Sequence, residues 1–278
     1  MTWRYVEARD LDAPLLYRLA SVWRHRRLLQ RMAKRELRQR HAGSALGFTW
    51  AILHPLIFVG AYALIFTFVF GGRLSEGAPP AQYALYVVSG LLPWMAFSEV
   101  AGKATQSMVE HRNLVKFAVF PVQILPLATL YAVAVTQLIG LAAVLVLKMW
   151  VSGGLDAAVL LLPPALLLQG VFLAGAAWLL GAVGTRFRDA KELVQLALMV
   201  GMFLTPIFYL EDSVPRPLRL LVTLNPLAHL VNLYRDALLG LGVRHPASFV
   251  VFALVAALTL VCGFALFDRA RAYMSDIL

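Results

Sequence analysis

Charge is scarce in this chain and cysteine almost absent. Only 14% of its 278 residues are Asp, Glu, Lys or Arg, and 60% are hydrophobic; an ordinary soluble domain carries about a quarter charged residues. A water-facing surface for a chain of this size cannot be made from so little charge, which excludes an ordinary soluble protein. The single cysteine, Cys262, excludes an intrachain disulfide, and its place inside an apolar run makes it a small packing residue rather than a reactive thiol. No Gly-x-x-x-x-Gly-Lys-Ser/Thr occurs, so the chain has no phosphate-cradling loop of its own. Gly-x-Ser-x-Gly and His-Glu-x-x-His are also missing, and the six histidines (His25, His41, His54, His111, His229, His245) lack metal-ligand spacing with one another or with Cys262. The chain is therefore expected not to be an enzyme and to bind no metal or cofactor. Energy for any work it does must come from a gradient or from another subunit. The N-terminus lacks a short apolar region followed by a small-residue cleavage site, so the first span is expected to stay in the mature protein.

What the sequence does have is long apolar runs. A helix crosses the hydrocarbon core with about 20 apolar residues, and runs of this kind lie near 49–70, 82–107, 121–150, 155–184, 193–210 and 248–267. They predict one all-α integral membrane domain over 1–278. It divides into a cytoplasmic or interfacial segment 1–48, six transmembrane helices in 49–268 and a cytoplasmic tail 269–278. An even span number puts both termini on one side. Of the 25 basic residues, 19 then fall in segments assigned inside and 6 outside, eleven of them within the first 40 positions. That bias puts the N-terminal side in the cytoplasm of an inner (plasma) membrane protein. The net charge of +10 points to membrane lipid rather than nucleic acid, because no aromatic-basic platform accompanies it.

Two segments outside the spans are patterned. Leu15, Leu16, Leu19, Val22 and Trp23 recur at helical spacing, Arg24-His25-Arg26-Arg27 interrupts, and Leu28, Leu29 and Met32 resume the apolar face. This predicts one or two basic amphipathic helices in the cytoplasmic interface. Between spans five and six, apolar runs 218–224 and 227–239 are each too short to cross. They predict a re-entrant pair of short helices broken at Asn225-Pro226.

Four segments, in order, resemble permeases of the type-2 ABC exporter family that export O-antigen, capsule or teichoic-acid polymers. The first is Arg35-Glu36-Leu37-Arg38 through Gly43-Ser44, Leu46-Gly47 and Trp50 to Pro55-Leu56. The second is Gly90-Leu91-Leu92-Pro93-Trp94 with Phe97-Ser98. The third is Asn113-Leu114-Val115-Lys116, Phe120-Pro121 and Ile124-Leu125-Pro126-Leu127. The fourth runs from Arg186-Phe187-Arg188-Asp189 to Thr205-Pro206-Ile207, Asn225-Pro226-Leu227 and Tyr234-Arg235. His54 stands where the family usually carries Asn, and Phe117-Ala118-Val119 and Val122-Gln123 stand where charged residues are common. The surface facing the ATPase is accordingly expected to be more apolar than usual.

The resemblance implies a homodimer working with two copies of a separate ATP-binding cassette ATPase that holds ATP and Mg. The substrate implied is a lipid-linked polysaccharide. Glu110, His111, Arg112, Asn113 and Leu114 are then the ATPase-docking segment, with Arg186, Arg188 and Asp189 on the neighbouring turn. Trp94 falls in the channel-lining set.

Trp50, His54, Phe58, Tyr62, Phe66 and Phe70 place a ring at every fourth position of the first span. Four residues turn about 400° on an α-helix, so the row winds round the helix. It suits a sliding glycan, whose apolar sugar faces stack on aromatics; lipid-facing and packing rings produce the same pattern. Glu99 and Lys103 have the favourable order for a helical ion pair, and intramembrane charges face protein or a wet cavity, so both join the expected channel lining. Arg235 is the candidate outer gate. A type-2 exporter of drugs or another lipid, a gradient-driven secondary transporter and a non-transporting scaffold are the competing readings. The last leaves Glu99 and Lys103 unexplained, and the secondary transporter lacks inverted repeats and buried carboxylates.

Overall fold

The computed structural model describes residues 15–39, 43–44, 46–47, 49–70, 74, 78–117, 121–187, 189–240 and 242–277. The described residues are helical almost throughout and contain no strand. In order the helices are α1 (Leu15–Arg24), α2 (Arg26–Gln39), α3 (Thr49–Leu64), α4 (Pro80–Glu110), α5 (Arg112–Phe117), α6 (Ile124–Ser152), α7 (Leu162–Arg186), α8 (Ala190–Leu204), α9 (Arg216–Leu224), α10 (Pro226–Leu238) and α11 (Pro246–Ile277). Five of these stretches are long and apolar enough to cross a membrane: Thr49–Val69, Pro80–Glu110, Ile124–Ser152, Ala157–Arg186 and Pro246–Arg271. The protein is a multi-pass membrane protein.

The fifth expected span, 193–210, is built differently. α8 has 15 residues, a rise of about 22 Å against a hydrocarbon core of about 30 Å. It stops because Pro206 has no N–H to give and drives the preceding Thr205 into extended backbone (φ −90°, ψ 133°). Asn225 is a second local stop. Its side chain accepts from Leu227 N–H at 2.9 Å, capping α10, and its amide donates to Thr205 Oγ1 at 2.9 Å. The short pair expected between the last two spans is thus present as α9 and α10, broken at Asn225-Pro226.

α4 is the hub of the bundle. Leu85, Val88, Leu91, Trp94, Val100 and Ala104 are buried along its length, packed against α6, α7, α8 and α10. α10 is buried at every position from Leu230 to Leu238, whereas α9 exposes Leu218, Leu220, Leu221 and Leu224. The tightest crossings are made where side chains are missing. A Cβ on Gly175 of α7 would lie 2.4 Å from the Thr259 carbonyl of α11, and one on Gly184 would lie 1.8 Å from the Thr105 carbonyl of α4. Gly170 of the same helix faces open space, and the close packing centres on Gly175, Gly181 and Gly184.

One end of the bundle carries α1 and α2, separated by a turn at His25 where the charged run interrupts the apolar face. Ala33 and Leu37 are buried, and α2 packs on α6. Arg18 pairs with Asp268, and Asp268 also meets Arg271 at 3.5 Å. These pairs accompany α11 beyond Phe267, the end of the expected span, to Ile277, where the sequence had suggested a tail. At the opposite end Lys148, fully buried, donates to Asp156 Oδ2 at 2.8 Å and to the Leu238 carbonyl at 2.9 Å. That ties the end of α6 to the end of α10.

Candidate functional site

The aromatic row of the first span is continuous in space from Phe58 to Phe70. Ring centroids of Phe58 and Tyr62 are 4.5 Å apart, those of Tyr62 and Phe66 6.0 Å, and those of Phe66 and Phe70 5.1 Å. The last two pairs are nearly parallel, at 15° and 18°. An ideal α-helix would rotate each successive ring away by about 40°. The helix avoids this by widening to a π-turn over Ile65–Val69, closed by Phe70 N–H to the Ile65 carbonyl at 3.0 Å. In a wider turn a four-residue step falls short of a full revolution, so the step from Phe66 to Phe70 turns back against the drift of the expected spiral. Single π-turns of this kind are frequent at functional sites.

The row does not stop at α3. Phe66 stacks on Phe208 at 6.0 Å and meets Tyr83 edge-on at 5.8 Å; Tyr83 stacks on Tyr86 at 6.1 Å. The Arg235 guanidinium lies 3.5 Å from the Tyr86 ring centre, an orientation in which the cation meets the negative ring face. Phe208, Tyr83 and Tyr86 are scattered in sequence, and only the fold brings them to this row.

Near the other end of the row, a cavity of about 270 Å³ opens between α3, α4 and α6. His54, Phe58, Glu99, Thr136 and Gln137 line it, so three expected channel residues from two different helices share one space. Glu99 pairs with Lys103 at 3.2 Å, and Lys103 also reaches Glu36 of α2 at 3.5 Å. Glu36 in turn accepts from Thr129 Oγ1 of α6 at 3.2 Å. The N-terminal helices are thereby wired to the polar group beside the cavity. In sequence Glu36 is marked only as the one acid among many bases in α2 and as part of the Arg35-Glu36-Leu37-Arg38 motif, and neither shows its partners.

Arg235 is buried, 3% exposed. It donates to the carbonyls of Pro206 and of Ile207, the latter at 3.2 Å. Tyr83 and Tyr86 hydroxyls donate to the next two carbonyls, Phe208 and Tyr209, at 2.6 and 2.9 Å. The non-helical segment after α8 thus has its exposed carbonyls satisfied one after another by α4 and α10. The Asp236 carboxylate accepts from His245 backbone N–H and meets its Nδ1, both at 2.9 Å. Arg235 stands at the seam where α4, α10 and the Pro206–Ile207 segment meet. Gly90 of α4 lies against this seam, where a Cβ would press on Val231 Cγ1 of α10 at 3.1 Å and reach ordinary contact with the guanidinium at 3.4 Å.

The remaining expected site residues fall into two groups. Trp50 is partly exposed, whereas Trp94 is 5% exposed and lies under Gly201 of α8, where a Cβ would come within 3.0 Å of its ring; it is a core residue of the single chain. Glu110 and His111 form the turn from α4 to α5; His111 Nδ1 is 2.9 Å from the Ser107 carbonyl. Glu110, Arg112 and Asn113 are exposed, while Leu114 packs on the hydrophobic cluster of Val22, Met108 and Phe267. Arg186 and Asp189 are exposed on the α7–α8 turn with no ion pair between them among the described residues. Arg188 lies outside the described residues. The Gly184–Thr105 contact sets these two turns at the same end of the bundle. Among the described residues no group of three or more His, Cys, Asp or Glu could hold a metal ion.

A family model described as ABC-2 type transporter matches residues 27–239. An O-antigen export system permease protein of Myxococcus xanthus is 31% identical over 219 residues, covering 77% of this chain and 81% of that protein. A protein of the same description from Klebsiella pneumoniae is 25% identical, covering 90% and 95%. A polysialic acid transport protein of Escherichia coli is 26% identical, covering 84% and 89%. With hydrophobic helices, amphipathic α1–α2 and the matched region spanning α2 to α10, the chain belongs to the ABC-2 type transporter family.

Proposed function

We propose that this chain is the permease subunit of an ATP-driven exporter. It moves a lipid-linked polysaccharide, of the O-antigen, capsule or teichoic-acid type, from the cytoplasm across the inner membrane. One observation carries the reading. Relatives named for O-antigen export and polysialic acid transport match 77% to 90% of this chain, so the likeness extends over most of the bundle rather than a shared fragment. A homodimer works with two copies of an ABC ATPase that holds ATP and Mg, and both termini are cytoplasmic. The exposed apolar residues of α3 and α8, such as Ile57, Phe68, Leu193 and Met199, suit cover by a second copy and by lipid. Six crossings result when α8 with the extended segment 205–210 forms the fifth and α9–α10 re-enter from outside. Deleting the gene in its host is expected to remove surface polymer and leave lipid-linked polymer inside. Unchanged surface polymer would sink the reading.

The turns Glu110–Leu114 and Arg186–Asp189, exposed at Glu110, Arg112, Asn113, Arg186 and Asp189, receive the ATPase in this arrangement. Cysteines at Arg112 and Asn113 are expected to crosslink to the ATPase subunit in membranes, and crosslinks only to lipid would count against docking there. The α3 row lines the polymer's route. Trp50→Ala with Tyr62→Ala is expected to lower export about tenfold at wild-type membrane levels, since each lost stacking surface costs about 0.5–1.5 kcal/mol. Wild-type export by a well-inserted double variant would remove the row from the mechanism.

A further inference from the structure

A second cavity, of about 260 Å³, lies at the end of the bundle away from α1 and α2. Tyr86, Glu211, Asn232, Arg235, Asp236 and Arg244 are among its lining. It sits where the aromatic relay from α3 ends, because Tyr86 is both the last ring of that relay and a wall of the cavity.

The polar groups here are incompletely used. Asn232 is 5% exposed and Arg235 3% exposed, yet Asn232 Oδ1 and Arg235 Nε have no hydrogen-bond partner among the described residues, nor does Glu211 Oε1. A buried polar atom without a partner is costly, and native proteins leave few of them. Such atoms around a cavity mark where a ligand's own groups complete the set.

The kind of ligand follows from what is unpaired and from the charge. Two open acceptors and one open donor call for groups that both donate and accept, and the hydroxyl is the common group that does so. Two carboxylates, Glu211 and Asp236, face two guanidiniums, Arg235 and Arg244, so the ring has no excess charge to attract an anion or a cation. Leu74, Leu210 and Leu239 supply apolar wall between the polar groups. A ring with hydroxyls at its edge and C–H groups on its faces fits that mixture.

We propose that this cavity is a subsite for one neutral pyranose unit, held by Asn232, Glu211 and Arg235 at the outer end of the polymer's route. The proposal rests on the polysaccharide reading for the source of the sugar, and on the cavity alone for its chemistry. Sugar hydroxyls donate to Asn232 Oδ1 and to Glu211, and one accepts from Arg235 Nε–H. The other side of the guanidinium stays on the Pro206 and Ile207 carbonyls, so occupancy of the cavity bears directly on the segment that follows α8.

The test uses the full-length chain in lipid nanodiscs and saturation-transfer NMR with the methyl glycosides of glucose, galactose and mannose. Glucuronate and inorganic phosphate serve as the charged comparison. At least one neutral methyl glycoside is expected to bind saturably, and Asn232→Leu to weaken it tenfold or more. Glu211→Gln, which keeps an acceptor at the half-exposed rim, is expected to retain binding, and Glu211→Leu to lose it. The two Glu211 variants carry the test if Asn232→Leu melts early. Binding of glucuronate or phosphate alone, wild-type binding by Asn232→Leu and Glu211→Leu, or binding of nothing overturns the subsite. If deletion of the gene abolishes surface polymer while no glycoside binds the purified chain, the subsite falls and the export reading stands. If glycosides bind and deletion leaves the polymer unchanged, the export reading and the subsite's place on a polymer route both fall.

Discussion

Gly184→Val is expected to leave almost no folded protein in the membrane, whereas Gly170→Val accumulates and melts like wild type. The two glycines sit on the same helix, but a Cβ on Gly184 would stand 1.8 Å from the Thr105 carbonyl, and one on Gly170 meets nothing within 4 Å. The obstacle at Gly184 is backbone of the central helix α4, which cannot swing away as a side chain can. Overpacking a core costs about 1–3 kcal/mol where side chains can yield, and here the helices themselves must part. Thr105 is five residues from Glu110, and Gly184 two from Arg186, so the same crossing aligns the two exposed turns. Size-exclusion profiles and thermal melts of both variants in detergent make the comparison. A Gly184→Val protein with wild-type melting would show that the crossing is not a constraint.

The second large effect is expected at the opposite end. Asp156→Leu is expected to lower stability by about 3 kcal/mol, because it leaves the buried Lys148 ammonium with only the Leu238 carbonyl 2.9 Å away. Part of that cost is the lost cap, since Asp156 Oδ1 also accepts from Ala158 N–H at 3.1 Å and caps are worth about 1 kcal/mol. The Asp156 side chain is 41% exposed, so solvent screens its charge and holds the ion-pair share to the lower part of the range. Lys148→Met removes the charge with its need for a partner and is expected to cost less. The double variant Lys148→Met/Asp156→Leu is then expected to be more stable than Asp156→Leu alone. Equilibrium unfolding in detergent of the three variants gives the order. A double variant no better than Asp156→Leu would mean that the aspartate matters only as a cap.

The contrast between these two sites shows how far local sequence reaches. Membrane spans, the two amphipathic helices and the break at Asn225-Pro226 were legible because each depends on neighbours in the chain. Apolar run length decides a span, alternation of bases and leucines decides an interfacial helix, and a proline with a capping Asn decides a break. The early end of α8 was legible in the same way, since Thr205-Pro206 carries the signal, but the apolar run continues to Leu210 and masked it.

Most of the candidate site was not legible, and for one physical reason. Lys148 reads in sequence as an unremarkable charge, Glu36 as one residue of a family motif and Arg235 as a candidate gate without partners, because a charge acquires its role from partners the chain brings from far away: the Leu238 carbonyl, the Lys103 ammonium, the Pro206 and Ile207 carbonyls. The aromatic row of the first span was visible as a period of four, yet its turn back against the drift came from the π-turn at Ile65–Val69. Its extension through Phe208, Tyr83 and Tyr86 came from packing. Trp94 carried the family pattern and an aromatic ring, and the approach of Gly201 put it in the core. By itself the sequence determined that this chain lives in a membrane and that its short helices break at Asn225-Pro226, since those depend on hydrophobicity and backbone chemistry over a few residues. Only the tertiary structure decided which polar groups are paired, which rings touch and which two cavities result, because those depend on helices crossing at distances that glycines alone permit.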